Sequence, residues 1–448
     1  MLVNTDEVVA RVQAALERGD FDSAIQVIEA LKGPDQAKLF SELDDEEQTE
    51  LLPKLDLSDS ADILEDMDEG EAAKLAASLP TETVARIVDE MEPDEAADLL
   101  GDLPPQRARD VLARLEDPEE IRPLLYHPDD SAGGLMTSEF LALRPLMTAQ
   151  EAIEALRAWN PDTETVYYLF VVDEAKRLVG VVSLRQLVLA RPGTLIRDIM
   201  DPDVIHVRLG TDQEEVAHLM SHYDLLALPV VDDEGVLLGI ITVDDVMDVI
   251  EDEATEDIQR LGGAEPLDQP YLETGVLTVA RKRIGWLMLL FVTGTLTGTV
   301  LRLFENELQA VVALSFYVPL LIGTGGNAGS QTTSTIIRAL GVGDIEWKDA
   351  LRTLWHEWRT GLVLGLGMAL MAYIRAVTWD APPLLALTVS LASFIIVLWA
   401  NSLGALLPVL ADRLGIDPAT VSGPVMSTLV DATGLFIYLS IAKLLMGI

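Results

Sequence analysis

Val421-Ser-Gly-Pro-Val-Met-Ser-Thr-Leu-Val-Asp431-Ala-Thr-Gly-Leu-Phe-Ile-Tyr-Leu-Ser-Ile441 is an apolar run with one carboxylate near its middle. Taken from Pro418 to Ile448 it is long enough, at ~1.5 Å per helical residue, to cross a hydrocarbon core of ~30 Å. A charged side chain at mid-membrane costs roughly 2.5–3.5 kcal/mol on insertion scales, so it faces a polar interior and marks an ion path. Asp431 therefore has two readings. It is an ion-path carboxylate, or a protonated carboxyl hydrogen-bonded to a neighbouring helix.

Working outward, four more hydrophobic runs precede this one, giving spans at 282–303, 309–337, 360–379, 383–411 and 418–446. Arg281-Lys282-Arg283 precedes the first, and Arg338, Lys348, Arg352 and Arg359 follow the second. By the positive-inside rule these loops are cytoplasmic, while Glu305-Asn-Glu307 and Asp380-Ala-Pro-Pro383 suit the outside. Five spans put the soluble N-terminal part in the cytoplasm and the C-terminus outside, across a plasma (inner) membrane. The second span carries Pro319 and then Gly323-Thr-Gly-Gly-Asn-Ala-Gly-Ser-Gln331. Each glycine weakens a helix by up to ~1 kcal/mol relative to alanine. The expectation is a broken helix lining a cavity, with Asn327 and Gln331 as oxygen ligands; the alternative is close packing through small residues, the reading given to Gly294-x-x-x-Gly298 in the first span. The fourth span adds Asn401 and Pro408, and the fifth adds Pro424 and Thr428, one turn before Asp431.

The chain has 448 residues and a net charge of −43. From Tyr271 onward 11 basic and 11 acidic residues balance, so the whole charge lies in the first 270. Such a surface repels nucleic acid and destabilises its own compact state unless cations neutralise it. The absence of cysteine excludes disulfides, thiolate metal sites and cysteine nucleophiles. The start, Met1-Leu-Val-Asn-Thr-Asp-Glu, lacks the basic and apolar regions of a signal peptide.

Residues 1–131 read as an all-α superhelical domain. Leu31, Leu43, Leu55, Met67, Leu79, Met91, Leu103 and Leu115 recur every 12 residues, with Pro or capping residues between them, the pattern of short stacked helices sharing one core. Residues 132–242 contain an α/β duplication. Met136-Thr-Ser-Glu-Phe-Leu-Ala-Leu143 matches Met200-Asp-Pro-Asp-Val-Ile-His-Val207, Val171-Val-Asp173 matches Val230-Val-Asp232, and Gly180-Val-Val-Ser183 matches Gly239-Ile-Ile-Thr242. This resembles a tandem pair of CBS domains. Such pairs bind adenine nucleotides such as ATP through a Ser/Thr-x-x-Asp; the second copy keeps Thr242-Val-Asp-Asp245, whereas the first reads Ser183-Leu-Arg-Gln186. Tyr168 and Arg185 are candidates for stacking on a base and meeting a phosphate. His218 and His222, with Glu214, have metal-ligand spacing on one helix, read as a solvated face. Residues 243–270 follow as an acidic connecting helix crowded with Asp244, Asp245, Asp248, Glu251, Asp252, Glu253, Glu256 and Asp257, with too few basic partners for salt bridges. Residues 271–448 are the five-span helical membrane domain.

The order of these parts, with Pro-x-x-x-Gly-Thr-Gly-Gly-Asn-x-Gly-x-Gln in the second span and a late Asp-x-Thr-Gly, resembles the MgtE family of magnesium channels over nearly the whole chain. The resemblance implies a homodimer in the lipid bilayer with a pore on the two-fold axis, lined by the second and fifth spans. Asp431 would match the pore aspartate, Asn327 the pore-lining segment and Asp417 the cytosolic mouth; Gly423 stands where an Asn is expected. The resemblance also implies Mg2+ sensing by carboxylates. These would be Glu214, Asp224, Asp245, Asp248, Glu253, Glu256 and Asp257, with Asp94 and Asp98 in the N-domain.

Mg2+ prefers octahedral oxygen coordination and gives up its waters reluctantly, so a pore for it holds the hydrated ion. Two copies of Asp431 repel in a dry site, and one divalent ion cancels their charge. Carboxylate and carbonyl oxygens suit Mg2+, Ca2+, Mn2+ and Co2+ alike. A proton-coupled secondary transporter for divalent cations is the alternative function. No nucleophile–base pair or phosphate loop points to an enzyme.

Overall fold

The computed structural model describes residues 5–159, 167–267, 271, 272, 274–421 and 423–447. The first four residues and the last three of the connecting segment, 268–270, lie outside the described residues. The chain divides into two compact units, Met1–Glu251 and Asp252–Ile448.

The first unit begins with short helices: α1 (Thr5–Leu16), α2 (Phe21–Ile28), α3 (Gly33–Ser41), α4 (Asp45–Leu51), α5 (Leu57–Glu65), α6 (Glu69–Ser78), α7 (Thr81–Val88), α8 (Pro93–Asp102), α9 (Pro105–Leu112) and α10 (Pro118–Ile121). From α2 to α9 each starts 12 residues after the last. The start is enforced chemically. Asp20, Asp44, Asp56 and Asp68 accept hydrogen bonds from the first N–H groups of their helices, and Pro34, Pro93 and Pro105 stand in the first turn, where no N–H is needed. The stop is enforced from the next helix. Gln36 Nε2 donates to the Ile28 carbonyl (3.2 Å), Gln48 Nε2 to Phe40 (2.7 Å) and Ser60 Oγ to Leu52 (2.9 Å), each eight residues back. These buried side chains satisfy orphan carbonyls of the preceding helix. Alternate helices then pack on one another, α3 on α5, α4 on α6, α5 on α7, α6 on α8 and α7 on α9, and the period winds into a superhelix.

The duplication follows as β1 (Ala142–Leu143), α11 (Ala149–Trp159), β2 (Tyr168–Val172), β3 (Leu178–Ser183) and α12 (Leu184–Leu189), then β4 (Val207–Arg208), α13 (Gln213–Tyr223), β5 (Ala227–Val231) and β6 (Leu237–Thr242). Two three-stranded sheets have orders β1-β2-β3 and β4-β5-β6, with the same register: Val171 pairs with Gly180 and Val230 with Gly239. The halves also exchange their leading segments. Thr137 pairs with Ile240, and Asp201 with Val181. The two glycines make room for this. A Cβ on Gly239 would meet Met136 Sδ at 2.8 Å, and one on Gly180 would meet Met200 Sδ at 2.7 Å. The matched methionines thus each pack on the other half's glycine. One apolar cluster runs from the superhelix into the second half, while Leu143, Ala149, Leu169, Val171, Val182 and Ile196 form a separate core for the first. The acidic helix α14 is Val243–Leu261.

The second unit holds α15 (Val276–Leu303), α16 (Glu305–Ala310), α17 (Val318–Gly341), α18 (Ala350–Thr378), α19 (Pro383–Arg413) and α20 (Gly423–Met446). Among the described residues four helices are long and apolar enough to cross a membrane by length and composition: α15, the one from Trp347 to Thr378 that contains α18, α19 and α20. The second expected span, 309–337, differs. Its first two residues end α16, and a short 3-10 turn, Val312–Tyr317, follows before α17 starts.

Two expectations are corrected here. α17 is not broken: Val318–Gly341 is one continuous helix through all four glycines. The glycines serve close approach instead. A Cβ on Gly325 would lie 2.5 Å from Ile396 Cγ2 and 2.8 Å from Val430 Cγ1, and one on Gly329 2.9 Å from Met426 Cε. What glycine costs in helix propensity is outweighed by packing that no larger residue permits. Conversely, a Cβ on Gly294 or Gly298 would meet nothing within 4 Å, so that pair is not a packing seam within the chain. The seams are Gly361 and Gly365 on α18, against Asn401 and Phe394 of α19, and Gly404 on α19, whose Cβ would sit 2.8 Å from the Gly329 carbonyl. Gly325→Leu should therefore overpack the α17–α19–α20 core by about 1–3 kcal/mol, lowering the thermal midpoint in detergent, while Gly294→Ala should not lower it.

Candidate cation path and acidic clusters

The candidate site of the second unit is built by α17 and α20. Gly326 lets the two backbones close until a Cβ at that position would lie 3.3 Å from Ser427 Oγ and 3.5 Å from Asp431 Oδ1. Ser427 precedes Asp431 by one turn, and its Oγ lies 3.3 Å from Ser330 Oγ, which donates to the Gly423 carbonyl (3.2 Å). Asp431 thus heads a ladder of hydroxyl and carbonyl oxygens. Asn327, next to Gly326, and Gln331, one turn further, are exposed on the face of α17 that also carries Gly323 and Thr335. Thr428 Oγ1 donates to the Pro424 carbonyl (2.9 Å). Asn401 lies elsewhere. It is 1 % exposed, and its Nδ2 donates to Glu357 Oε2 at 3.2 Å. Ser330, Ser427 and Glu357 were absent from the sequence reading; the serines carry a signal, since they stand three residues after Asn327 and four before Asp431.

At the end of α14, Asp417 Oδ2 accepts from Arg260, which also pairs with Glu256. The other Asp417 oxygen accepts the Ala419 N–H at 2.7 Å. Burial, and then the Asp417 charge, push the Asp257 carboxyl above the usual range. Glu253 adds its charge to the field on Arg260. One guanidinium therefore faces Glu253, Glu256 and Asp417, with Asp257 beside it.

In the first unit a second acidic cluster gathers Asp98 of α8 and Asp245 of α14 with three residues the sequence did not single out, Glu65, Glu92 and Glu95. Burial comes first and neighbouring carboxylates second in raising each: Glu65, Glu92 and Asp98 to about 7 and Glu95 to about 9. Asp245 is raised too, although Thr242 Oγ1 donates to it at 2.5 Å. Glu65 Oε1 also accepts the Glu92 N–H at 2.8 Å. Asp94 is buried in the first turn of α8, 6 % exposed, and burial, then Asp62 and Asp248, raise the Asp66 carboxyl. Glu214 and Asp224 stand at opposite ends of α13, about 15 Å apart by helical rise. His218 and His222 stack at 5.9 Å on its exposed face. Among the described residues no three His, Asp or Glu side chains converge at metal-ligand spacing. In the first repeat, Tyr168 opens β2 opposite Ser183, and Arg185 is exposed at the start of α12. Gln186, in the place of the motif Asp, closes a capping box with Ser183.

Long apolar helices with a carboxylate among them, joined to a CBS pair, define the class: a membrane protein that also carries a CBS-containing half. The MgtE divalent cation transporter domain matches residues 318–441, the MgtE intracellular N domain residues 31–130, and CBS domains residues 132–193 and 196–252. A magnesium transporter MgtE of Thermus thermophilus is 50% identical over 338 residues, 75% of each chain, and one of Enterococcus faecalis is 38% identical over 331 residues, 74% of this chain and 72% of that one. The cytosolic domain of the Mg2+ channel MgtE, crystallised in complex with ATP, matches with 41% identity and a TM-score of 0.52 over 54% of this chain and 99% of that one. The chain belongs to the MgtE family.

The raised carboxyls fix a pH dependence. Unfolded, these groups titrate near 4, so folding takes up protons between there and about 7 to 9. Their contribution to stability is complete below the unfolded value and is lost as pH rises through the folded ones. In EDTA the first unit of the full-length protein should unfold at lower temperature at about pH 9 than at about pH 6, and millimolar Mg2+ should narrow the gap.

Proposed function

We propose that the chain is a homodimeric Mg2+ channel of the cytoplasmic membrane, closed by cytosolic Mg2+. The observation that carries this reading is Asp431 against Gly326, beside an exposed polar face on α17. Asn327 and Gln331 have no business facing lipid, because an unmatched polar group there costs several kcal/mol (on the order of 2–7). A second copy across a two-fold axis covers that face and turns it into a wet path. Two Asp431 carboxylates then attract a divalent ion over monovalent ones, and hydroxyls and carbonyls hold its water shell. Membership in a family whose members are named magnesium transporters supports Mg2+ as the cargo. The basic loops before and after the first two spans support a cytoplasmic soluble half, with the C-terminus outside.

Gating follows from the carboxylates. With Mg2+ scarce, Glu65, Glu92, Glu95, Asp98 and Asp245 repel, as do Asp257 and Asp417, and the closed arrangement is disfavoured. With Mg2+ abundant the ion screens and bridges them, partly through its own waters, and the closed state gains RT ln(1 + [L]/Kd) at each site. Several such sites supply the few kcal/mol that move a two-state gate. Glu214, Asp224, Asp248, Glu253 and Glu256 act in the same sense, and Asp94 joins the cluster on α8. Arg260 is the cation already in place at Asp417, which Mg2+ has to displace. ATP binds at the CBS pair, with Tyr168 and Arg185 meeting base and phosphate; the relative whose cytosolic domain was crystallised with ATP supports nucleotide binding by such a pair.

Asp431→Ala in liposomes should reduce Mg2+ uptake to background; undiminished uptake would remove the pore assignment, and uptake that tracks a proton gradient would favour a coupled transporter. Arg260→Gln should lower the cytosolic Mg2+ concentration for half-closure on the order of fivefold, equivalent to ~1 kcal/mol, as read by open probability in excised patches.

A further inference from the structure

Glu357 of α18 ties three helices together. Asn401 Nδ2 of α19 donates to its Oε2 at 3.2 Å, and Thr332 Oγ1 of α17 reaches the same oxygen at 3.4 Å. Both donors are enclosed, Asn401 at 1 % and Thr332 at 7 % exposure. The bracket sits beside close approaches of the helices. Gly361, one turn after Glu357, faces the Asn401 side chain, and Gly404 faces Thr332 and the Gly329 carbonyl.

These seams are lined by glycine. Smooth surfaces of this kind pack tightly but offer few knobs to stop one helix sliding or turning on another. A directional hydrogen bond supplies the missing register, a role for buried polar groups that is well attested. On α17, Thr332 is six residues from Gly326, about 120° around the helix. The helix therefore turns one side to Asp431 and another to Glu357. Asn401 Oδ1 is buried without a hydrogen-bond partner among the described residues. The Glu357 bond is the one interaction that answers for placing this amide in the bundle.

We propose that Glu357 is a positioning residue. It holds α17 in the rotation and axial register that set the Gly326–Asp431 spacing, and so the width of the ion path. The proposal rests on α17 and α20 forming that path.

The test uses full-length protein in planar bilayers and reads the Mg2+ to Ca2+ permeability ratio, with the thermal midpoint in detergent as a control for folding. Glu357→Gln keeps an acceptor oxygen and loses the charge; its ratio should stay within about twofold of the parent. Glu357→Ala, Asn401→Leu and the milder Thr332→Val remove acceptor or donor and should lower the ratio, by roughly tenfold in the first two. A parental ratio in all of them overturns the proposal. So does Glu357→Gln matching Glu357→Ala, since the charge would then act on the ion itself. Asp431→Ala run alongside separates the two levels: if it leaves conduction intact, the ion path itself is misassigned, whatever the Glu357 series does.

Discussion

A carboxylate among membrane helices has to be answered by other polar groups, and here the answer is the bare backbone of α17. Gly326 brings that backbone to within van der Waals reach of Asp431, and Ser427, Ser330 and the Gly423 carbonyl continue the line of oxygens. The glycines that permit this contact also leave the middle of α17 without large side chains to grip its neighbours. Its back is therefore held at Gly404 and Glu357, and the polar front remains exposed in the single chain. The intramembrane half is arranged around this one approach.

In the soluble half the same electrostatics works at higher charge. A net −43 would disperse if it lay on a flexible chain. Instead the 12-residue superhelix, with its caps and its back-reaching Gln36, Gln48 and Ser60, makes a firm surface that presents Glu65, Glu92, Glu95 and Asp98 to Asp245. The CBS pair is stiffened by its exchanged segments, Met136 on Gly239 and Met200 on Gly180. Rigid elements keep like charges near one another, and burial first, then that proximity, raises their carboxyls. A cation relieves this repulsion most where the neighbours cannot move apart.

Where sequence reasoning erred, it did so by treating local tendency as final. Four glycines read as a break became a continuous helix, because propensity is worth less than an interface in which Gly325 has no room for a methyl group. Gly294-x-x-x-Gly298 has the spacing of a seam and faces open space, whereas Gly361 and Gly365 form one. Asn401 reads from the sequence as one more polar residue in an apolar span; the structure gives it Glu357, just before the expected third span, as its partner. Hydrophobic runs cannot say which polar residues meet across helices.

The sequence by itself determined what repeats or alternates along the chain. The 12-residue period forecast the stacked helices, whose starts from 21 to 105 keep that spacing. The duplication forecast two sheets of equal register, and Asp431 in its apolar run marked the fifth long helix. Such features are legible because capping, strand alternation and burial act over neighbouring residues. Tertiary structure alone decided which oxygens gather: Glu65 with Glu92, 27 residues on, Arg260 with Asp417, Glu357 with Asn401 and Thr332. Those meetings depend on helix rotation and crossing, which are set by how whole faces pack, and a linear pattern carries no record of them.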